Sequence, residues 1–214
     1  MMHEYVGSMI CSVLILAGGQ GSRFGYMEKA LIPLGDKTLI EHMIESFENS
    51  INDIIISVRD EKQKEKLEPY VGNRTIVTDW YKGTGPLAGM LEGFKAAKGE
   101  YVFVVACDMP FINTEVMNLL FECADKHDAA LPVWDDRNLE PLHAVYRRQP
   151  LVFEIEEAIK RNERFVLAPV YQLDDVVYVD MGKIRNFDPE LKTFLNINTI
   201  EDFLNIMEQD MNED

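Results

Sequence analysis

Apolar and polar positions along this chain follow two periods, and the switches between them mark out its elements. Short, nearly continuous apolar runs rich in β-branched residues predict buried strands at 11–17, 53–58, 74–78 and 101–106. Between them the apolar spacing turns helical. Leu39, Ile40, Met43, Ile44 and Phe47 fall on one helix face, and Thr38 with Glu41 has the form of a capping box at its start. The charged run 60–68 predicts an exposed helix, and Pro86, just after Gly85, opens another over 86–97. Further helices are expected from about 114 to 126, over 150–161 and from Thr199, with strands at 129–134, 143–147 and 176–180. Strand–helix alternation with buried strands predicts an α/β fold with a mostly parallel sheet covered on both faces. In such sheets a ligand lies beyond the carboxyl ends of the strands.

The first strand empties into Leu16-Ala17-Gly18-Gly19-Gln20-Gly21-Ser22-Arg23-Phe24-Gly25, followed by Lys29. Glycines let a ligand approach main-chain N–H groups closely, and successive N–H groups form a concave anion site. Arg23 and Lys29 add two cations suited to a triphosphate. Two familiar loops are excluded. No Gly-Lys-Ser/Thr of a P-loop occurs, and Phe24 stands where the dinucleotide fingerprint needs its last glycine. The spacing L-A-G-G-x-x-x-R-[MF]-G-x-x-x-K, which ends on Lys29, instead resembles the signature loop of nucleotidyltransferases. A ligand-free turn is the bland alternative, and a loop this long with two interior cations makes a poor one.

Other polar residues are predicted to reach the same edge. Asp108 follows the fourth strand directly and precedes Met109-Pro110, which suits either a turn or a metal-binding carboxylate beside a nucleotide. Asp79 ends the third strand ahead of Gly83-Thr84-Gly85-Pro86-Leu87-Ala88-Gly89. That run brings backbone and a helix N-terminus toward a base edge, a ribose or a phosphate, or else simply starts a helix. Asn198 or Thr199 can cap the last helix, and Asn196 and Asn198, flanking Ile197, can complete a metal shell or grip a second ligand. His3, His42, His127 and His143 share no metal-ligand spacing; His42 is expected on a helix surface and His143 in the core or at a strand edge. Cys107 is expected to be a small buried side chain.

Composition narrows the function classes. At 214 residues, 47% hydrophobic and 27% charged, the chain is expected to be one soluble domain over 1–214, with a peripheral leader at 1–9 and tail at about 209–214. No apolar run approaches the roughly 18 residues of a membrane span. Three cysteines without C-x-x-C spacing fit free thiols in a reducing cytoplasm. A net charge of −16 argues against a nucleic-acid polymer as partner and calls for local cations and a divalent metal to hold a triphosphate.

Five segments together, in order, resemble the molybdenum cofactor guanylyltransferase family. They are the glycine loop with Lys29, Gly85 to Gly89, Cys107 to Phe111, Pro141 to Tyr146, and Phe194-Leu195-Asn196-Ile197-Asn198-Thr199, and they cover nearly the whole chain. The resemblance implies a Rossmann-like three-layer nucleotidyltransferase fold that joins GMP from GTP to molybdopterin and uses Mg²⁺. It carries GTP contacts onto Leu16, Ala17, Gly18, Lys29 and Asp79, and metal binding onto Asp108. Gly19 and Gly85 join the expected nucleotide-binding set, and Arg23, Lys29 and Asp108 the catalytic one. Asn196 and Asn198 are expected in the second-substrate or metal shell. Transient contact with molybdoenzymes or their chaperones belongs to the same expectation. The chain departs from the family at the end of the second strand, where Ser57 or Val58 stands in place of an Asn, and Phe24 replaces the more usual Met. Alternatives are a cytidylyltransferase of the same pathway, a guanylyltransferase acting on another phosphorylated metabolite, and a catalytically silent nucleotide-binding protein. A dehydrogenase is already disfavoured by Phe24.

Overall fold

Strand β1 (Met9–Leu16) is apolar on both sides because both sides are covered. Cys11, Val13 and Ile15 enter one hydrophobic cluster and Leu14 the other. The structure is a computed structural model that describes residues 5–6, 9–21, 27–79 and 85–197. After β1 follow α1 (Leu39–Glu48), β2 (Ile54–Val58), α2 (Glu61–Val71), β3 (Thr75–Thr78), α3 (Pro86–Ala96), β4 (Tyr101–Ala106) and α4 (Thr114–Ala124). Then come β5 (Ala129–Val133), β6 (His143–Arg147), α5 (Arg148–Lys160) and β7 (Val176–Asp180).

The two-residue stretch Tyr5–Val6 adds antiparallel to β1. Seven strands pair in the order β7-β5-β6-β4-β1-β2-β3, and of these seven only β6 runs against the others. The connection 134–142 explains this, because it is shorter than the dozen or more residues a parallel crossover needs. Helices α1, α2 and α4 cover one face, through Met43, Phe47, Leu67, Val116 and Phe121. Helices α3 and α5 cover the other, through Leu87, Met90, Phe94, Leu151 and Ile155. This is the three-layer, mostly parallel fold that the alternation predicts. Two short ribbons, Gln20–Gly21 with Met27–Glu28 and Pro33–Leu34 with Lys37–Thr38, frame the return from the glycine loop.

Two glycines decide how α3 sits. A Cβ at Gly93 would run into the Leu14 side chain, and one at Gly89 would lie 2.5 Å from Ser57 Oγ. Their absence lets α3 pack closely on β1 and β2, and its first turn, from Pro86, reaches the carboxyl edge of the sheet. At the opposite edge, buried Ser12 donates to Asp53 Oδ2 at 2.5 Å and accepts from Gly99 N–H at 2.8 Å, so its hydroxyl is satisfied inside the core.

Some expectations change. Helix α2 runs through Pro69 to Val71 instead of ending at 68, because buried Leu67 and Val71 hold its last turns and Gly72, at φ +59°, ends it. Helix α5 starts at Arg148, two residues early, since Pro150 is tolerated in a first turn. His42 is not a free surface residue: it is half-buried, and its Nε2 donates to the Leu34 carbonyl at 2.7 Å, tying α1 to a ribbon. The helix expected from Thr199 lies outside the described residues.

Candidate active site

The parallel strands deliver chemically distinct residues to one edge. Sheet pairing continues one residue past the strand ends and fixes where each chain departs. Ala17 N–H donates to the Ser57 carbonyl at 2.8 Å, Asp79 N–H to Val58 at 3.0 Å, and Cys107 N–H to Leu16 at 3.1 Å. Beyond these points stand Gly18 after β1, Arg59 after β2, Asp79 after β3 and Asp108 after β4.

They surround a cavity of about 480 Å³. Leu16, Gly18 and Gly19 wall it from the glycine loop, Lys29 from the loop's return, and Gly85 and Pro86 from the start of α3. Asp79 and Asp108 close it from the remaining strand ends. Gly85 adopts φ +63°, a conformation that favours glycine, as it turns into α3. Lys29 Nζ reaches Asp108 Oδ2 at 2.9 Å, and the two side chains are 18% and 21% exposed.

The predicted residues are placed as follows. Leu16, Gly18, Gly19, Lys29, Asp79, Gly85 and Asp108 share the cavity wall. Ala17 is fully buried behind it, and its carbonyl accepts from Gln63 Nε2 at 2.8 Å. Arg23 and Asn198 lie outside the described residues. Asn196 is exposed, and its neighbour Ile197 donates its N–H to the Asp108 carbonyl at 2.7 Å, so this strand of chain passes directly beside Asp108. The segment carrying Arg164 passes beside Gly85: the Arg164 carbonyl would lie 3.4 Å from a Cβ on that glycine. Arg147 and Arg148 sit at the opposite edge, where Arg147 pairs in register with Tyr101 at the start of β4.

Sequence reading missed Arg59. The available signal was its position just past the end of β2, much as Asp108 stands just past the end of β4. The Arg59 guanidinium donates to the Gly18 carbonyl at 3.2 Å, to Glu28 and to Asp60. Ser57 and Val58 also line the cavity, where the resembled family carries Asn.

Two reactive residue types nearby are inert. Burial pushes the Cys107 thiol up to about 12, with the Asp108 charge adding to the effect, so it stays protonated near neutral pH. His143 is fully buried, with its ring edge-on to Phe103 and Phe194, and burial lowers it to about 3. Its Nε2 lies 3.1 Å from Thr193 Oγ1. Among the described residues no group of three His, Cys, Asp or Glu side chains could hold a metal alone. Asp108, one of two carboxylates at the wall, does fit a hard cation that takes its other ligands from phosphates and water, the usual manner of Mg²⁺ beside a nucleotide.

A glycine loop, a lysine and a strand-end carboxylate meeting in one cavity at the carboxyl edge define a nucleotidyltransferase of the three-layer α/β class. Residues 13–176 match the MobA-like NTP transferase domain, and the chain belongs to that family. It is 48% identical over 201 residues to a Methanosarcina mazei protein described as a probable molybdenum cofactor guanylyltransferase, covering 92% of this chain and 89% of that one. A Methanosarcina acetivorans protein of the same description is 48% identical over 197 residues, with 89% and 87% covered. The crystal structure of molybdopterin-guanine dinucleotide biosynthesis protein A from Archaeoglobus fulgidus superposes with a TM-score of 0.80 at 36% identity, covering 94% of this chain and 99% of that one.

Proposed function

We propose that this protein transfers GMP from GTP to the terminal phosphate of molybdopterin and releases pyrophosphate. The observation that carries the reading is the meeting of Gly18, Gly19, Lys29, Asp79 and Asp108 around one cavity. Guanine and molybdopterin come from the names of the 48%-identical relatives. A phosphate oxygen of molybdopterin forms a bond to the α-phosphorus of GTP while the bond to the β-phosphate bridging oxygen breaks. That nucleophile is already ionised near neutral pH, so no side chain has to take its proton. Protein groups then act by positioning and by charge.

Loop N–H groups from Gly18 and Gly19 hold the phosphates, and Lys29 with Arg23 stabilises the charge that develops on the leaving pyrophosphate. Asp79, at the end of β3, faces the nucleoside end of the cavity together with the first turn of α3. Asp108 is the ligand for Mg²⁺, which when bound supplies charge screening between two anionic reactants. The strand of chain through Asn196, fixed beside Asp108, and the segment of Arg164 beside Gly85 border the place left for molybdopterin. No helix among the described residues is long and apolar enough to cross a membrane, and Cys11, Cys107 and Cys123 form no disulfide; we assign the reaction to the cytoplasm.

A second reading, a different nucleobase, is favoured by one observation: Ser57 and Val58 line the wall where the resembled family carries Asn. Calorimetric titration of GTP, CTP, ATP and UTP in the presence of Mg²⁺ separates the two. Tightest binding of GTP is expected; tightest binding of CTP overturns the choice of guanine.

A further inference from the structure

A buried network grips the glycine loop at both of its ends. Glu28, on the return arm, is a carboxylate with only 7% side-chain exposure. Its Oε1 accepts from Arg59 Nη2 and from Lys66 Nζ, each at 3.1 Å, and its Oε2 accepts from Gln63 Nε2 at 3.0 Å. The same Gln63 amide donates its other hydrogen to the Ala17 carbonyl at 2.8 Å. Arg59 Nη1 donates to the Gly18 carbonyl at 3.2 Å. Two side chains from the start of α2 thus reach in two directions at once: to Ala17 and Gly18, where the loop leaves β1, and to Glu28, where it returns.

Gln63 is itself locked. It is fully buried, its Oε1 accepts from Arg59 N–H at 2.7 Å, and its own N–H donates to Asp60 Oδ1, the cap of α2, at 2.8 Å. A buried carboxylate is costly unless paired and hydrogen-bonded, and a simple strand-to-helix turn has no need of one. The ribbon Gln20–Gly21 with Met27–Glu28 already closes the loop by backbone pairing. What the network adds is a fixed distance between Gly18–Gly19 on one side and Lys29 on the other, the groups that wall the cavity. Neither Glu28 nor Gln63 lies on that wall, so both act through the loop.

We propose that Glu28, Gln63 and Arg59 form a clamp that holds Gly18 and Gly19 at the spacing from Lys29 that accepts phosphate before nucleotide arrives; this rests on the nucleotidyltransferase reading above. Glu28 and Gln63 are positioning residues. With the clamp intact the competent loop is preformed. Without it only a fraction of molecules holds that shape, and apparent affinity falls by that fraction. Bound nucleotide restores the shape, so turnover at saturation is kept.

Glu28→Gln keeps the size of the side chain and removes its charge, and Gln63→Leu removes the amide that spans both ends. Steady-state kinetics of the full chain with GTP, Mg²⁺ and molybdopterin are expected to show KM for GTP raised about tenfold in each, with kcat kept within about threefold. The double variant is expected to match the larger single, because either change opens the same clamp. Unchanged KM, loss of kcat at unchanged KM, or singles whose effects multiply would each overturn the clamp. Glu28→Asp, which keeps the charge and shortens the reach, takes the place of any variant that does not fold; a raised KM is expected, and a wild-type KM overturns the clamp. Wild-type protein that binds none of the four nucleoside triphosphates overturns the functional reading, and with it the clamp's role in nucleotide binding. Wild-type protein that binds GTP beside variants that bind it equally well overturns the clamp alone.

Discussion

Lys29 Nζ lies 2.9 Å from Asp108 Oδ2, so the cation of the glycine loop and the carboxylate at the end of β4 neutralise each other across the cavity. Arriving phosphates compete for the lysine, and an arriving divalent cation competes for the aspartate. The pair is therefore a resting state in which each charge holds the other at the place where it is needed. Lys29→Ala and Asp108→Ala are each expected to lower turnover about 10²–10³-fold, the usual loss on removing one preorganised charge. Pyrophosphate release under saturating GTP and molybdopterin measures this. Wild-type turnover in either variant removes that residue from the chemistry.

Gly93 packs directly against Leu14, and a methyl group there has no room. Alanine is the better helix former by about 1 kcal/mol, yet overpacking a filled core costs about 1–3 kcal/mol. Gly93→Ala is expected to lower stability in a urea unfolding curve. A variant more stable than wild type would show that α3 moves off β1 without cost.

Gly89 and Ser57 meet at the cavity wall, where a Cβ on Gly89 would lie 2.5 Å from the serine oxygen but 3.6 Å from the serine Cβ. Removing the hydroxyl alone should make room. Gly89→Ala is expected to weaken GTP binding, and the double variant Gly89→Ala with Ser57→Ala to regain most of the loss. If the double binds no better than Gly89→Ala, the steric account of this wall is wrong.

Much of this fold could be read from periodicity, and the reasons are local. β1, β2 and β4 are buried on both faces, so their apolar runs are unbroken. Helix α1 carries its capping box where Thr38 and Glu41 predict it. Site residues adjacent to a strand end, such as Gly18, Asp79 and Asp108, were legible for the same reason: the strand fixes the edge they occupy. The network around Glu28 was not legible. Glu28, Arg59 and Gln63 come from two separate segments, and nothing in either stretch signals that a Glu and a Gln from charged surroundings would be buried together. Pairing across tertiary contacts, here at 3.0–3.3 Å, is set by how α2 docks beside the loop rather than by local sequence. The antiparallel entry of β6 likewise depends on a short connection, which periodicity does not report.

His143 gives the fold a titration of its own. Burial lowers it to about 3, so it is neutral when folded and takes a proton near 6.5 when unfolded. Between those values the unfolded state binds more protons, so stability falls as pH falls below about 6.5. The slope approaches about 1.4 kcal/mol per pH unit, and from pH 6 to 5 the loss from this group is about 1 kcal/mol. Urea unfolding at pH 7, 6 and 5 should show a shallower decline in His143→Gln than in wild type. Parallel declines would mean that the imidazole is hydrated or protonated in the folded protein.

Transfer of GMP from GTP to molybdopterin is the reaction proposed for this cavity. Its most direct test mixes purified protein, molybdopterin, Mg²⁺ and each of the four nucleoside triphosphates in turn, with separation of the products by chromatography. Molybdopterin-guanine dinucleotide and an equal amount of pyrophosphate are expected with GTP, dependent on both substrates and abolished without the divalent cation. A dinucleotide formed preferentially from another nucleotide, or GTP bound with no product and no pyrophosphate, would contradict it.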